Sequence, residues 1–363
     1  MNTAFYALSL EQTFNLILKG GNKRTVLAQG HMGTGKSSML GMLAEALPDH
    51  TPCYFDCTTK DLGDISIPQL QTIDDQGFVK FVPNEELGVH LGKPIILMVD
   101  EYGKANPAVK NALLRLMLER KIGGYTLHED SIVFATTNLG AEGVGDLLPP
   151  HALNRITVVN VRKSDNMEYI EWGIANGVDP IVLGFAKENP QLFQSFEEVS
   201  DPKDNPDIYH PKEKRAAFVT NRSLTAASDW VKLRDELDNH TLTAALGGTI
   251  GMHAAGNLMA FIALHNQLPK LDDIKSSPET AKVPDGAAAI CMLVYRALAV
   301  IDRSWVDAWM TYLVRLSKEA QGMFANGVRA DKYDKTKKSI VMTNKKFTEW
   351  ALANNYMFAA DKK

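Results

Sequence analysis

Residues Thr25 to Leu47 read TVLAQGHMGTGKSSMLGMLAEAL. The middle of this stretch, GHMGTGKS from Gly30 to Ser37, matches G-x-x-x-x-G-K-[ST]. Before it, TVLAQ (Thr25–Gln29) is apolar enough for a buried strand. After it, SSMLGMLAEAL (Ser37–Leu47) has the composition of a helix. A strand, a glycine-rich turn and a helix are what phosphate binding needs. Glycines let backbone N–H groups turn inward as a nest, and the helix N-terminus adds its dipole. Lys36 supplies a point charge for β- and γ-phosphates, and Ser37 a hydroxyl for Mg²⁺. The candidate cradle is Gly30, His31, Met32, Gly33, Thr34, Gly35, Lys36, Ser37 and Ser38.

Working outward, the flanking chain alternates strands and helices. Ser9 and Gln12 have capping-box spacing and open a short amphipathic helix over 9–20. CYFDCTT (Cys53–Thr59) reads as a second strand and PIILMVD (Pro94–Asp100) as a third, apolar throughout like a strand covered on both faces. NPAVKNALLRLMLERK (Asn106–Lys121) is a helix. SIVFATTN (Ser131–Asn138) and ITVVNV (Ile156–Val161) are a fourth and fifth strand. This pattern predicts an α/β core with a mostly parallel five-stranded sheet. Between the second and third strands, two alternating apolar runs flank Asp74 to Gly77, the signal of a β-hairpin. From Asp165 onward strand signals fade and helix-like runs dominate. The expected organisation is an α/β domain over 1–163, a helical lid over 164–268 and a C-terminal helical extension over 269–363.

Composition narrows the classes. The chain has 363 residues, 45% hydrophobic and 23% charged, as in ordinary soluble globular proteins. Net charge −4 disfavours a dedicated nucleic-acid binder. Cys53, Cys57 and Cys291 lack zinc spacing and read as core thiols of a reducing compartment. The N-terminus has no signal-peptide pattern. The most membrane-like run, Thr241–Leu268, holds His253, Asn257 and several glycines, and reads as a buried helix or helix pair. The expected location is the cytoplasm, with no membrane attachment. The basic excess from Arg329 onward reads as a solvated surface.

Three further elements carry chemistry. Asp100 and Glu101 end an apolar strand, where ligands bind in open α/β sheets. Asp100 suits Mg²⁺, and Glu101 suits orienting an attacking water. Asn138 ends the next strand, within reach of a γ-phosphate or that water. Arg155 immediately precedes a strand. In a ring-shaped assembly an arginine there would face a neighbour's nucleotide and neutralise transition-state charge.

With these elements in order, the chain resembles AAA+ ATPases, and within them the MoxR-like branch. AVKNALLRLMLERKIGGYTLHEDSIVFATTNLG resembles that family's helix, short hairpin and sensor strand. LPPHALNRI resembles the segment that carries its arginine finger. The hairpin near Asp61–Pro83 stands where the branch carries an insert in its second helix. VTNRSLTAASDW resembles the start of the lid helix bearing sensor 2, which points to Arg222. VDEYGKANP is also similar to the small AAA+ subunit of cobaltochelatase. His31 and Met32 replace the prolines frequent in this loop, and Asn154 stands where Asp often precedes the finger arginine.

The resemblance implies an ATP hydrolase using ATP and Mg²⁺, assembled as a homohexamer. It would remodel a protein client, in some relatives together with a partner carrying a von Willebrand factor A domain. The alternatives are an AAA+ motor or loader on nucleic acid, disfavoured by the charge, and a nucleotide-gated binding module with little turnover.

Overall fold

The computed structural model describes residues 7–74, 76–139, 155–265, 268–331 and 333–354. The chain divides into two compact units, 1–163 and 164–363.

The first unit is built on a six-stranded sheet. Its strands are β1 (Ala7–Leu8), β2 (Val26–Gly30), β3 (Thr51–Asp56), β6 (Ile95–Asp100), β9 (Ile132–Thr137) and β10 (Thr157–Val161). They lie in the order β1-β10-β2-β9-β6-β3, and every pairing is parallel. The architecture is the expected α/β core followed by helices, with one correction to the sheet. It has six strands, because Ala7–Leu8 pairs with Asn160–Val161 at the β10 edge. A two-residue strand carries no periodicity from which to read it.

Side chains leave a strand alternately on its two faces, and the core follows that alternation. Leu27, Leu97, Val99, Val133 and Ala135 meet Val109, Leu113, Leu116 and Met117 of α3 (Pro107–Glu119) on one face. Val26, Ala28, Ile96, Met98, Ile132 and Phe134 meet Ile17 of α1 (Leu10–Gly20) and Met39 and Leu43 of α2 (Met39–Ala46) on the other. β6 and β9 are buried at every position, which explains their unbroken apolar runs.

Local signals set the ends of these elements. Ser9 and Gln12 form the predicted capping box. The second strand stops at Asp56 rather than Thr59, because the Asp56 carboxylate accepts from Thr58 N at 2.9 Å and opens a 3₁₀ turn. β4 (Ser66–Ile73) and β5 (Gln76–Pro83) form the antiparallel hairpin, with Asp74 at φ 48° in its turn. A second small hairpin pairs β7 (Lys121–Ile122) with β8 (Tyr125–Thr126).

The second unit is helical. Its buried cluster runs from Tyr169 to Trp350 and includes Phe185, Leu246, Met292, Trp305, Trp309 and Phe324. The membrane-like run becomes two helices, Asn239–Ile250 and Met252–His265, broken at Gly251, whose φ of 88° is unsuited to a side chain. Among the described residues no helix is long and apolar enough to cross a membrane.

Candidate functional site

The site lies at the carboxyl ends of β2, β6 and β9, with a contribution from β3. β2 ends at Gly30, where a Cβ would fall 2.5 Å from the Val161 carbonyl oxygen of neighbouring β10. Only glycine permits that approach. The chain then turns through Gly33 (φ 72°) and Gly35 (φ 90°). A 3₁₀ turn, Lys36–Ser38, leads into α2. The turn is tied internally. Thr34 Oγ1 donates to the His31 carbonyl at 2.9 Å, and Ser38 Oγ donates to the Gly35 carbonyl at 2.6 Å.

Lys36 is buried, 7% exposed, and its ammonium folds back over the loop. Nζ donates to the Gly30 carbonyl at 2.8 Å, the His31 carbonyl at 2.7 Å and Asn138 Oδ1 at 3.1 Å. The other arm of Asn138, Nδ2, donates to Glu101 Oε1 at 3.2 Å. An ammonium only donates and a carboxylate only accepts, so the two partners fix which way this amide points. Asn138 therefore bridges the loop lysine and the second strand-end carboxylate.

Asp100, 7% exposed, is held by four donors. Ser37 Oγ (3.2 Å) and Tyr54 OH (3.0 Å) both donate to Oδ2. Thr136 Oγ1 and the Glu101 N–H (3.0 Å) donate to Oδ1. Glu101 has φ 51° and ψ 36°, a left-handed backbone that costs a non-glycine residue on the order of 1 kcal/mol. Its Oε2 lies 3.0 Å from Lys104 Nζ. The neighbouring carboxylates reach other groups. Partial burial and the Asp100 charge push the Tyr54 hydroxyl well above its usual pKa. Burial, then Asp56 and Asp100, push the Cys57 thiol up to about 12.

The structure thus brings Lys36, Ser37, Asp100, Glu101 and Asn138 together. Arg155 is exposed just before β10. Asn154 and the chain from 140 up to it lie outside the described residues. Arg222 belongs to the helical unit, exposed on the helix Asn221–Lys232. Sequence reasoning missed Tyr54, Thr136 and Lys104. Thr136 is two residues before Asn138 and Lys104 is three after Glu101, spacings that could have marked both.

Chemically, the loop offers the Lys36 ammonium to an anion. Ser37 and Asp100 offer hard oxygens 3.2 Å apart. Such a pair suits Mg²⁺, which takes one or two protein ligands and completes its shell with phosphate and water. No group of three or more His, Cys, Asp or Glu able to hold a metal occurs among the described residues.

Fold and site together define a parallel α/β domain with a glycine-rich loop between β2 and α2. No protein-family model matches the chain, and no curated protein matches it. Among solved structures it is similar to two point mutants of RuvB from Thermotoga maritima. The first is 15% identical over 88% of this chain and 99% of that one, with TM-score 0.39. The second is 13% identical over 87% and 93%, with TM-score 0.36. A Cytophaga hutchinsonii protein is 14% identical over 90% and 91%, with TM-score 0.33. These are distant likenesses.

Proposed function

We propose that this chain is an AAA+ ATPase of the MoxR-like branch, which couples ATP binding and hydrolysis in a ring, a homohexamer, to the remodelling of a partner protein. The supporting observation is the hydrogen-bonded path from Lys36 through Asn138 to Glu101, lying beside the Ser37–Asp100 pair.

In this reading the loop N–H groups and Lys36 bind the β- and γ-phosphates. Ser37 and Asp100 would hold Mg²⁺, whose charge would offset that on the phosphate oxygens. Glu101 orients the attacking water and draws on its proton, while Asn138 positions the γ-phosphate against it. Little covalent chemistry is asked of the protein, so rate comes from positioning and charge. Arg155 of a neighbouring subunit would add positive charge, and Arg222 would report nucleotide to the lid. The lid spans 164–268 and the extension 269–363. A protein client, a partner with a von Willebrand factor A domain and a cytoplasmic setting complete the proposal. Its basis for these last features is the sequence resemblance.

The test is Glu101→Gln. It should retain ATP binding while turnover falls about 10²–10⁴-fold, the worth of a positioned base. Turnover at the wild-type rate would remove Glu101 from the mechanism. Salt-sensitive stimulation of the wild-type protein by single-stranded DNA would redirect the proposal to a nucleic-acid motor.

A further inference from the structure

We infer that Tyr54 is a positioning residue for the magnesium carboxylate, setting the direction in which Asp100 presents Oδ2 to the metal side of the site. The inference rests on the proposed role of Asp100 and Ser37.

β3 is the last strand of the sheet, paired with β6 in a register that places Tyr54 opposite Met98 and Asp56 opposite Asp100. Tyr54 therefore sits two residues short of Asp100, and its long ring spans the gap to deliver the hydroxyl at 3.0 Å. The two carboxylate oxygens are divided between different tasks. Oδ1 faces the sheet, where Thr136 and the Glu101 N–H hold it. Oδ2 faces Ser37, the hydroxyl offered to the metal, and Tyr54 is its second donor. Two donors on each oxygen fix the carboxylate's rotation.

Packing does not account for the ring. Tyr54 is 47% exposed, whereas Asp100 is 7% exposed. A residue kept for core packing would be inside, and one kept for solubility would have no directed bond into a buried carboxylate. The hydroxyl is the part of Tyr54 that the site uses.

The test is Tyr54→Phe, which removes one oxygen from a half-exposed side chain and leaves the ring. Affinity for a fluorescent ATP analogue is measured in EDTA and again across a Mg²⁺ titration. Binding in EDTA and the melting temperature should match wild type. The gain in affinity produced by Mg²⁺ should shrink about three- to tenfold, the worth of one hydrogen bond. The Mg²⁺ concentration for half-maximal hydrolysis should rise by a similar factor, with kcat at saturating Mg²⁺ little changed. A lowered melting temperature with an unaltered Mg²⁺ response would make Tyr54 a tether for the edge strand and overturn the inference. A stronger Mg²⁺ response would overturn it too, since the hydroxyl would then be a competitor for Oδ2. Ser37→Ala separates this result from the underlying site assignment. If Ser37→Ala keeps the full Mg²⁺ gain, the metal site itself is misassigned. If Ser37→Ala loses the gain and Tyr54→Phe keeps it, only the role of Tyr54 falls.

Discussion

Replacing Asp100 by Asn and by Ala should separate what its hydrogen bonds do for stability from what its charge does for function. In Asp100→Ala four donors lose their acceptor. Ser37 and Tyr54 are partly exposed and can turn to water. Thr136 is fully buried, and the Glu101 N–H is its companion on Oδ1. Leaving the buried Thr136 hydroxyl unsatisfied costs about 1–3 kcal/mol and the partly buried Glu101 N–H somewhat less, so about 2–4 kcal/mol in total is expected. In Asp100→Asn the amide oxygen still accepts from Thr136 and Glu101. The NH₂ faces two hydroxyls, which can rotate from donating to accepting. That variant should lose no more than about 1 kcal/mol. For a unit of this size 1 kcal/mol moves the melting temperature by roughly 2–4 °C. The alanine variant should therefore melt roughly 5–15 °C lower and the asparagine variant at most about 4 °C lower. The assay needs a probe of the right unit. All five tryptophans, Trp172, Trp230, Trp305, Trp309 and Trp350, lie after residue 163, so their fluorescence follows the helical unit. Amide hydrogen exchange along β6 follows the α/β unit. With ATP and Mg²⁺ added, neither variant should gain the metal-dependent stabilisation that binding gives the wild type. Equal losses in the two variants would refute the reasoning, because lost packing rather than orphaned donors would then be responsible.

Two other substitutions and conditions test the surrounding construction. Gly30→Ala would drive a Cβ into the Val161 carbonyl at 2.5 Å, so β2 and β10 must part. A loss of about 1–3 kcal/mol with weakened nucleotide binding is expected, while Gly20→Ala, with nothing within 4 Å, should melt like wild type. For the Cys57 thiol, raised from 9.0 to about 12 by burial and nearby carboxylates, the sign follows from which state binds the proton. Below pH 9 both states keep it and the contribution is intact. Between pH 9 and about 12 the unfolded chain releases it and the folded chain does not, so stability falls by about 1.4 kcal/mol per pH unit. Denaturation at pH 8 and pH 10, with Cys57→Ala as reference, measures this. The native protein should also react slowly with a thiol reagent at pH 8, since all three cysteines are buried.

Much of this construction can be read from residue order, for reasons that differ by element. The loop is legible because glycine, lysine and serine at fixed spacing have few other uses together, and its flanking strand and helix are strongly patterned. β6 and β9 are legible because burial on both faces leaves an uninterrupted apolar run. The hairpin at 66–83 is legible from alternation interrupted by Asp74 and Gly77. What stays hidden depends on register. Nothing local in CYFDCTT says that Tyr54, rather than Asp56, reaches Asp100. That follows from the parallel pairing of β3 with β6, which forms only in the folded sheet. The β1 strand is hidden for a similar reason, since two residues gain their identity from Asn160 and Val161 across the gap. Lys104 reaches Glu101 because the chain leaves β6 through a left-handed residue, and a backbone angle is not written in an Asp-Glu pair.

The order of strands explains why an asparagine can join the two halves of the site. β9 lies between β2, which carries the loop, and β6, which carries the carboxylates. Adjacent strands are about 4.8 Å apart, so the ends of β2 and β6 are separated by about 10 Å. The loop carries Ser37 across that gap to Asp100 at 3.2 Å, whereas Lys36 and Glu101 are joined through a third residue. A residue at the end of β9 divides the distance into two short steps. Asn138 makes both, accepting from Lys36 at 3.1 Å and donating to Glu101 at 3.2 Å. Aspartate there would bind Lys36 but repel Glu101, and leucine would bind neither. An amide has one accepting and one donating end, and an ammonium on one side with a carboxylate on the other requires a group with both.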